Sequence, residues 1–310
     1  MERNKIIKIM NKKNNITVGI PAYNESKNIK NVIYDVLKQY QGNVMVQKII
    51  IVSDGSTDNT VSKIKEINDK RIFIVDNKKR RGKAFSQNII FNKSTTEYLV
   101  ILDADVRISQ RLFLQKMISN AIKNKQHKLI CSKVVSKSND VFLQRILSFV
   151  QDFKNDLFSK LYKNNKPIFM CNGRAMLYSK DLYKKMKFPS DIIADDAYAG
   201  LYCINNDFEI GYENSAKLYF NLPSNLDDHF KQSKRFKDGQ KQIEKYFDKK
   251  IVRSAYSIPN HVFLKTFINW FTKNSLYMTA YSILTFYLGV KYLFVSKNIS
   301  SLWEISISSK

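Results

Sequence analysis

Four short, mostly apolar runs, each ending in a polar cluster and followed by an amphipathic stretch, limit what this chain can fold into. They are "ITVGI" before "PAYNE", "KIIIV" before "SDGSTDNT", "RIFIV" before "DNKKRRGK", and "YLVIL" before "DAD". Short apolar runs bounded by turn residues read as buried strands. Between them, Ile29, Val32, Ile33, Val36 and Leu37 recur at helical spacing, and "VSKIKEIN" and "GKAFSQNIIFNKS" read as two more helices. Ser26 is the expected N-cap of the first helix, and Gly82 opens the third. Strands alternating with helices predict an α/β domain with a mostly parallel sheet. Ligands in such sheets bind beyond the carboxyl ends of the strands, which is where the polar clusters fall. No G-x-G-x-x-G follows the first strand, which argues against a dinucleotide-binding oxidoreductase.

The run Tyr98–Leu102 stops on Asp103 and, one residue further, Asp105. Two carboxylates at the end of a buried strand lose hydration. They also repel each other, which raises at least one pKa unless a cation is near. A solvated turn is one resolution. The other is a hard divalent ion that takes oxygen ligands and keeps positions for water and phosphate.

Beyond about residue 110 the pattern loosens. "VFLQRILSFVQDFKNDLFSKLY" is a long amphipathic helix, "NGRAMLYSKDLY" a turn, short strand and helix start, and "KLYFNLPSN" a strand and turn. "SDIIADDAYAGLYCINN" sets Asp195 and Asp196 at the head of a helix. From Lys231 to Arg253, nine Lys or Arg face three acids in a basic helix. The whole chain carries a formal charge of +25, which favours anionic partners. Cys131, Cys171 and Cys203 have neither zinc-site nor disulfide-framework spacing, so a reducing compartment is expected. The N-terminal "MERNKIIKIMNKKNN" lacks the apolar core of a signal peptide. "HVFLKTFINWFTK" places Phe263, Phe267, Trp270 and Phe271 on one helical face. The uncharged run 275–290 is borderline against the roughly 20 residues a span needs. It reads as an interfacial helix, a short membrane segment, or a helix packed on the domain.

The order of "PAYNE", "SDGSTDNT", "RRGKAFSQN", "DAD", "NGRAMLYSKD", "ADD" and "QSKRF" over residues 16–240 resembles the family 2 glycosyltransferases. Members are inverting enzymes with a GT-A fold, a Rossmann-like mixed sheet flanked by helices. The resemblance implies that Pro21, Ala22, Tyr23 and Glu25 line the nucleotide pocket and that Asp54 bonds the base. It puts Lys83, with Arg80 and Arg81, near the donor diphosphate. Asp105 becomes a ligand of Mg2+ or Mn2+, and Asp103 holds ribose or the metal's shell. Asp196 becomes the base that deprotonates the acceptor hydroxyl. Asp195 stands where the family usually has Glu and is expected to cap its helix. "QSKRF" matches Q-x-x-R-W through Gln232, Arg235 and Phe236, as in polysaccharide-synthase-type members, and Phe keeps the stacking face of the usual Trp. His229 is a further candidate beside the metal.

The expected architecture is thus a catalytic domain over 1–240 and a basic, aromatic helical tail over 241–310 that associates with membrane. The expected function is transfer from a nucleotide-diphosphate sugar, a UDP-sugar first, to a glycan or lipid-linked acceptor in cell-surface polysaccharide or glycoconjugate synthesis. The expected location is the cytoplasmic side of the membrane. Two other readings are a catalytically silent membrane scaffold of the same fold and a nucleic-acid-binding protein. The second leaves strand-end acids in a pocket without a role, so no nucleic-acid partner is expected.

Overall fold

The computed structural model describes residues 13–137, 141–295 and Leu302. The strands are β1 (Asn14–Ala22), β2 (Val44–Asp54), β3 (Ile72–Asn77), β4 (Tyr98–Leu102), β5 (His127–Lys137), β6 (Ala175–Ser179) and β7 (Glu209–Asn221). They form one seven-stranded sheet in the order β3-β2-β1-β4-β6-β5-β7. Strands β1 to β4 are parallel, as the alternation predicts. The other half is mixed: β6 runs antiparallel to both β4 and β5, and β5 pairs parallel with β7. Because β1 lies between β2 and β4, the strand order reverses there, and the reversal opens a crevice at the strands' carboxyl ends.

The helices are α1 (Ile29–Leu37), α2 (Thr60–Lys65), α3 (Lys83–Lys93), α4 (Phe113–Lys123), α5 (Phe142–Lys163), α6 (Lys180–Tyr183), α7 (Asp195–Asn205), α8 (Leu226–Ile243), α9 (Lys249–Tyr256), α10 (Asn260–Lys273) and α11 (Ser275–Leu293). They cover both sheet faces, so the apolar run in β2 is used twice. Ile49 and Ile51 enter one core with α1 and α4, while Ile50 and Val52 enter the other with α3 and α7. This is the two-residue period of a strand buried on both sides. Helix α3 crosses β1 closely: a Cβ on Gly19 would sit 2.4 Å from Ile90 Cγ2. Strand β1 continues past Pro21 to Ala22, but its pairing with β4 ends at Gly19–Ile101. Proline there costs no rung on that side. Helix α1 begins at Ile29 with Asn28 in the cap position, so Ser26 does not cap it. The Ser26 amide donates instead to the Asp58 carboxylate, 3.1 Å away.

The C-terminal helices share a core with the rest. Ile146, Val150, Phe153, Leu157 and Leu161 of α5 pack with Val262 of α10 and Met278 of α11. Trp270 turns inward: its Nε1 donates to Asp156 Oδ2 at 2.9 Å, and its ring lies edge-on to Phe149 at 5.1 Å. The expected aromatic face is therefore divided, with Phe263 and Phe271 exposed and Trp270 set on α5. Among the described residues no helix is long and apolar enough to cross a membrane. The boundary expected at residue 240 falls inside α8, and residues 1–12, 138–140, 296–301 and 303–310 of the expected domains lie outside the described residues.

One glycine holds the rim of the crevice. Gly55 has φ 69°, and a Cβ there would lie 2.6 Å from the Arg80 amide nitrogen and 2.8 Å from the Lys79 carbonyl carbon. Backbone cannot yield as a side-chain tip can. Gly55→Ala should cost about 1–3 kcal/mol in a urea melt. A melt identical to the parent would show that loop 78–82 is not held against this turn.

Candidate active site

The loops after β1 and β2 are laced together by short polar side chains. The Thr57 amide donates to Asn24 Oδ1 at 2.8 Å, the Asn24 amide to Ser56 Oγ at 3.1 Å, and the Glu25 amide to Thr60 Oγ1 at 2.8 Å. Asn24 adopts φ 51°, a left-handed geometry that asparagine tolerates. Pro21, Ala22 and Glu25 are buried in this wall. Tyr23 is half-buried, and the Arg80 guanidinium lies 4.0 Å above its ring. Asp54 is buried at the end of β2, where its oxygens accept from the amides of Arg81 (2.9 Å) and Gly82 (2.6 Å). The carboxylate expected at the base also clamps the loop that leads into α3. Gly82, with φ 98°, makes the bend.

That clamp puts Lys83 at the first position of α3, pointing into the crevice. Its Nζ lies 2.7 Å from Asp103 Oδ1 and 3.1 Å from Asp195 Oδ2, and donates to the Gly173 carbonyl at 3.0 Å. Burial alone would lower its pKa. The Asp103 and Asp195 carboxylates outweigh burial and hold the ammonium above its usual value. Asp195, only 2% exposed, also accepts from Gln87 Nε2 of α3 at 2.8 Å. Asp195 is thus the partner of Lys83 and Gln87 more than a helix cap.

Asp196, next along α7, is half-buried. Its Oδ2 accepts from the Gly173 amide at 3.0 Å and its Oδ1 from the Ala197 amide at 2.8 Å. Desolvation, and then the charge of Asp195, raise its pKa above the usual carboxylate value. Asp103 and Asp105 are both half-buried at the end of β4, and the Asp103 amide donates to the Arg174 carbonyl at 2.9 Å. Arg174, in the turn before β6, stacks its guanidinium 3.8 Å above Phe220 and faces Asp105 and Asp103. Burial lowers its pKa against the pull of those acids. The motif "NGRAM" marks this turn in the sequence, but no spacing in it points to Arg174 or to Gln87. Only the reversed direction of β6 brings Arg174 to Asp103.

Helix α8 closes the crevice. Gly239 lets it approach α7, since a Cβ there would lie 2.8 Å from Ala194 Cβ. Gln242 Oε1 also accepts from the Ile193 amide at 2.8 Å. The same face carries Gln232 and Arg235, and the Arg235 charge acts on Lys83, Arg174 and Asp196. Phe236 sits 69% exposed on the adjoining side of the helix. His229 is half-buried; burial, then the charge of Lys154, lower its pKa to about 4. Cys131 and Cys171 are free thiols with their sulfurs 3.7 Å apart, and Cys203 is also free. The structure therefore gathers Lys83, Asp103, Asp105, Asp196 and Arg235 at one crevice, with Tyr23, Arg80 and Asp54 beside it.

Acids and cations converge at the strand ends of a mixed α/β sheet, on the crevice where its order reverses, and the fold is of the GT-A type found in glycosyltransferases. The family model "Glycosyl transferase family 2" matches residues 17–187, and the chain belongs to that family of glycosyltransferases. It is 26% identical over 235 residues to poly-beta-1,6-N-acetyl-D-glucosamine synthase of Staphylococcus aureus (strain COL), covering 74% of this chain and 55% of that protein. A synthase of the same name from Staphylococcus epidermidis is also 26% identical, over 231 residues. The chain spans about half the length of these curated relatives. Among solved structures, it resembles a mannosyltransferase from Pyrobaculum calidifontis in complex with GDP-Man and Mn2+. The TM-score is 0.61 at 18% identity, over 91% of this chain and 88% of that one. Glucosyl-3-phosphoglycerate synthase from Mycobacterium tuberculosis, solved with Mn2+, UDP and phosphoglyceric acid, gives 0.54 at 16% identity over 80% of each chain.

Lys83 supplies a direct test of the charge balance. Lys83→Met leaves Asp103 and Asp195 without their shared cation, which should cost about 3 kcal/mol near neutral pH. A urea melt near neutrality checks this, and a melt identical to the parent would contradict it.

Proposed function

We propose that the chain transfers a sugar, with inversion, from a nucleoside-diphosphate sugar to a hydroxyl of a glycan or lipid-linked acceptor. The observation that carries this reading is the convergence of the Asp103–Asp105 pair, Lys83, Arg174, Arg235 and Asp196 on one crevice. The relatives' names favour polysaccharide synthesis, and the solved neighbours hold UDP or GDP-Man, so a UDP-sugar is the first donor to try.

The donor's base would lie by Tyr23 and Arg80, in the pocket walled by Pro21, Ala22 and Glu25. Asp54 would face an imide N–H or shape the pocket through loop 80–82. Arg235 offers a charge-assisted donor to the diphosphate, and the Lys83 ammonium adds positive charge beside it. Gln232 adds a polar group one turn away, and Phe236 offers a stacking face to a sugar at the rim. Asp103 and Asp105 fit a Mg2+ or Mn2+ that takes one or two carboxylates and completes its shell with phosphate and water. No cluster of three or more His, Cys, Asp or Glu able to hold a metal occurs among the described residues, so an all-protein cage is not the fit. Such an ion, when bound, offsets the charge of the departing diphosphate.

Asp196 takes the acceptor's hydroxyl proton as that oxygen attacks the anomeric carbon and the carbon–phosphate-oxygen bond breaks. Its raised pKa makes it a better base than a solvated carboxylate. Membrane association on the cytoplasmic side belongs to the same reading and is supported by the basic tail.

Asp105→Ala should abolish Mn2+-dependent UDP binding in calorimetry, and Asp103→Ala should weaken it. Unchanged affinity in both variants would remove the metal assignment. Asp196→Asn should leave UDP binding intact and lower turnover by roughly 10²-fold or more. If turnover instead survives in Asp196→Asn and collapses in Asp195→Asn, the base is Asp195.

A further inference from the structure

From Lys249 to Val295 the chain contains no Asp or Glu, but six basic residues: Lys249, Lys250, Arg253, Lys265, Lys273 and Lys291. Helices α10 and α11 lie within this stretch. Each sets one face on the domain, through Val262 and Thr266 in α10 and Met278 and Leu288 in α11. The opposite faces are apolar and open. On α11, Leu276, Ile283, Phe286, Val290 and Leu293 recur at steps of seven, three, four and three residues, so they form one stripe. Phe286 is 75% exposed and Leu293 74%. On α10, Leu264, Ile268 and Phe271 do the same. Both helices seat on α5, so both stripes point away from it.

Exposed apolar stripes of this size mark a contact surface. A second copy is a poor occupant, because each face would bring its own acid-free basic segment against the other's. An anionic lipid surface suits both features. We infer that α10 and α11 form a docking face that lies flat in the interface of an anionic bilayer, with the stripes at the acyl boundary and Lys265 and Lys273 at lipid phosphates, while Lys291 stays paired with Asp227. The helices lie lengthwise on the domain and neither can cross, so contact is with one leaflet only. This deepens the membrane association proposed above and rests on it for location, not on the transfer chemistry.

Flotation of the full-length protein with phosphatidylcholine vesicles, with and without phosphatidylglycerol, tests the face. The protein should float with the phosphatidylglycerol vesicles, bind less at high salt and come off in alkaline carbonate. The double variant Ile283→Glu/Phe286→Glu should bind at least about tenfold less, since two side chains leave the acyl boundary. Its melting and Mn2+-dependent UDP binding should match the parent. The inference is overturned if the parent stays in solution with phosphatidylglycerol vesicles, or if the variant floats equally well. Resistance to carbonate would overturn it in favour of a span. A parent dimer that the variant converts to monomer would make a second copy the occupant. Loss of UDP binding in the parent itself would count against the transferase reading and leave the docking result standing.

Discussion

A single ammonium group joins the halves of the crevice. Lys83 Nζ lies between Asp103 at the end of β4 and Asp195 at the head of α7. Without it, the acids on those two elements would face each other across a desolvated gap. Burying ions costs several kcal/mol apiece unless their geometry and hydrogen bonds compensate. The compensation here is specific: Gln87 bonds Asp195, and the Gly173 carbonyl takes a third ammonium proton. Lys83 can serve only because α3 starts where it does. That start is set by the Asp54 clamp on Arg81 and Gly82 and by the bend at Gly82.

The same arrangement separates two carboxylates that adjoin in sequence. Asp195 is neutralised inside, whereas Asp196 is held by two backbone amides and left with a raised pKa. Neighbouring acids in unlike surroundings titrate differently, which is the condition for giving them unlike roles. The turn before β6 serves both ends of the crevice. Its Gly173 amide fixes Asp196, its Gly173 carbonyl meets Lys83, and its Arg174 faces the D-x-D pair. A movement of that turn would therefore be felt by Asp196, Lys83 and the Asp103–Asp105 pair together.

Much of this was legible in the sequence. The first four strands and three helices follow from apolar runs and a helical period, because residues buried on both faces of a sheet leave no alternative pattern. The positions of Asp103, Asp105, Asp195 and Asp196 at element ends follow equally. What periodicity does not contain is the partner across space. Strand β6 reads as a short strand, but its insertion in reverse between β4 and β5 depends on tertiary pairing, and with it the position of Arg174. Ser26 has the chemistry of a cap, yet its amide is taken by Asp58 from another loop. The resemblance sets Asp54 at the base, but no pattern in the sequence shows that its oxygens also meet amides 27 and 28 residues further along the chain.

The tail shows why a helical face and its partner are separate questions. Helix α5 presents Ile146, Val150, Phe153 and Leu157 on the side away from the sheet core, and α10 and α11 supply the cover. Covering them needs only one stripe per helix, drawn from Val262, Trp270 and Met278. Trp270 was legible as an aromatic at membrane-favouring spacing, but Asp156 offers its indole N–H the acceptor that a headgroup would otherwise provide. The remaining residues of α11 are not needed for that core. A sequence under no other constraint would fill them with Lys, Glu and Gln, which keep a surface helix soluble at little cost in propensity. Five of them, Leu276, Ile283, Phe286, Val290 and Leu293, are exposed Leu, Ile, Phe or Val instead. The tail thus meets two apolar requirements, one from α5 inside and one from whatever lies outside.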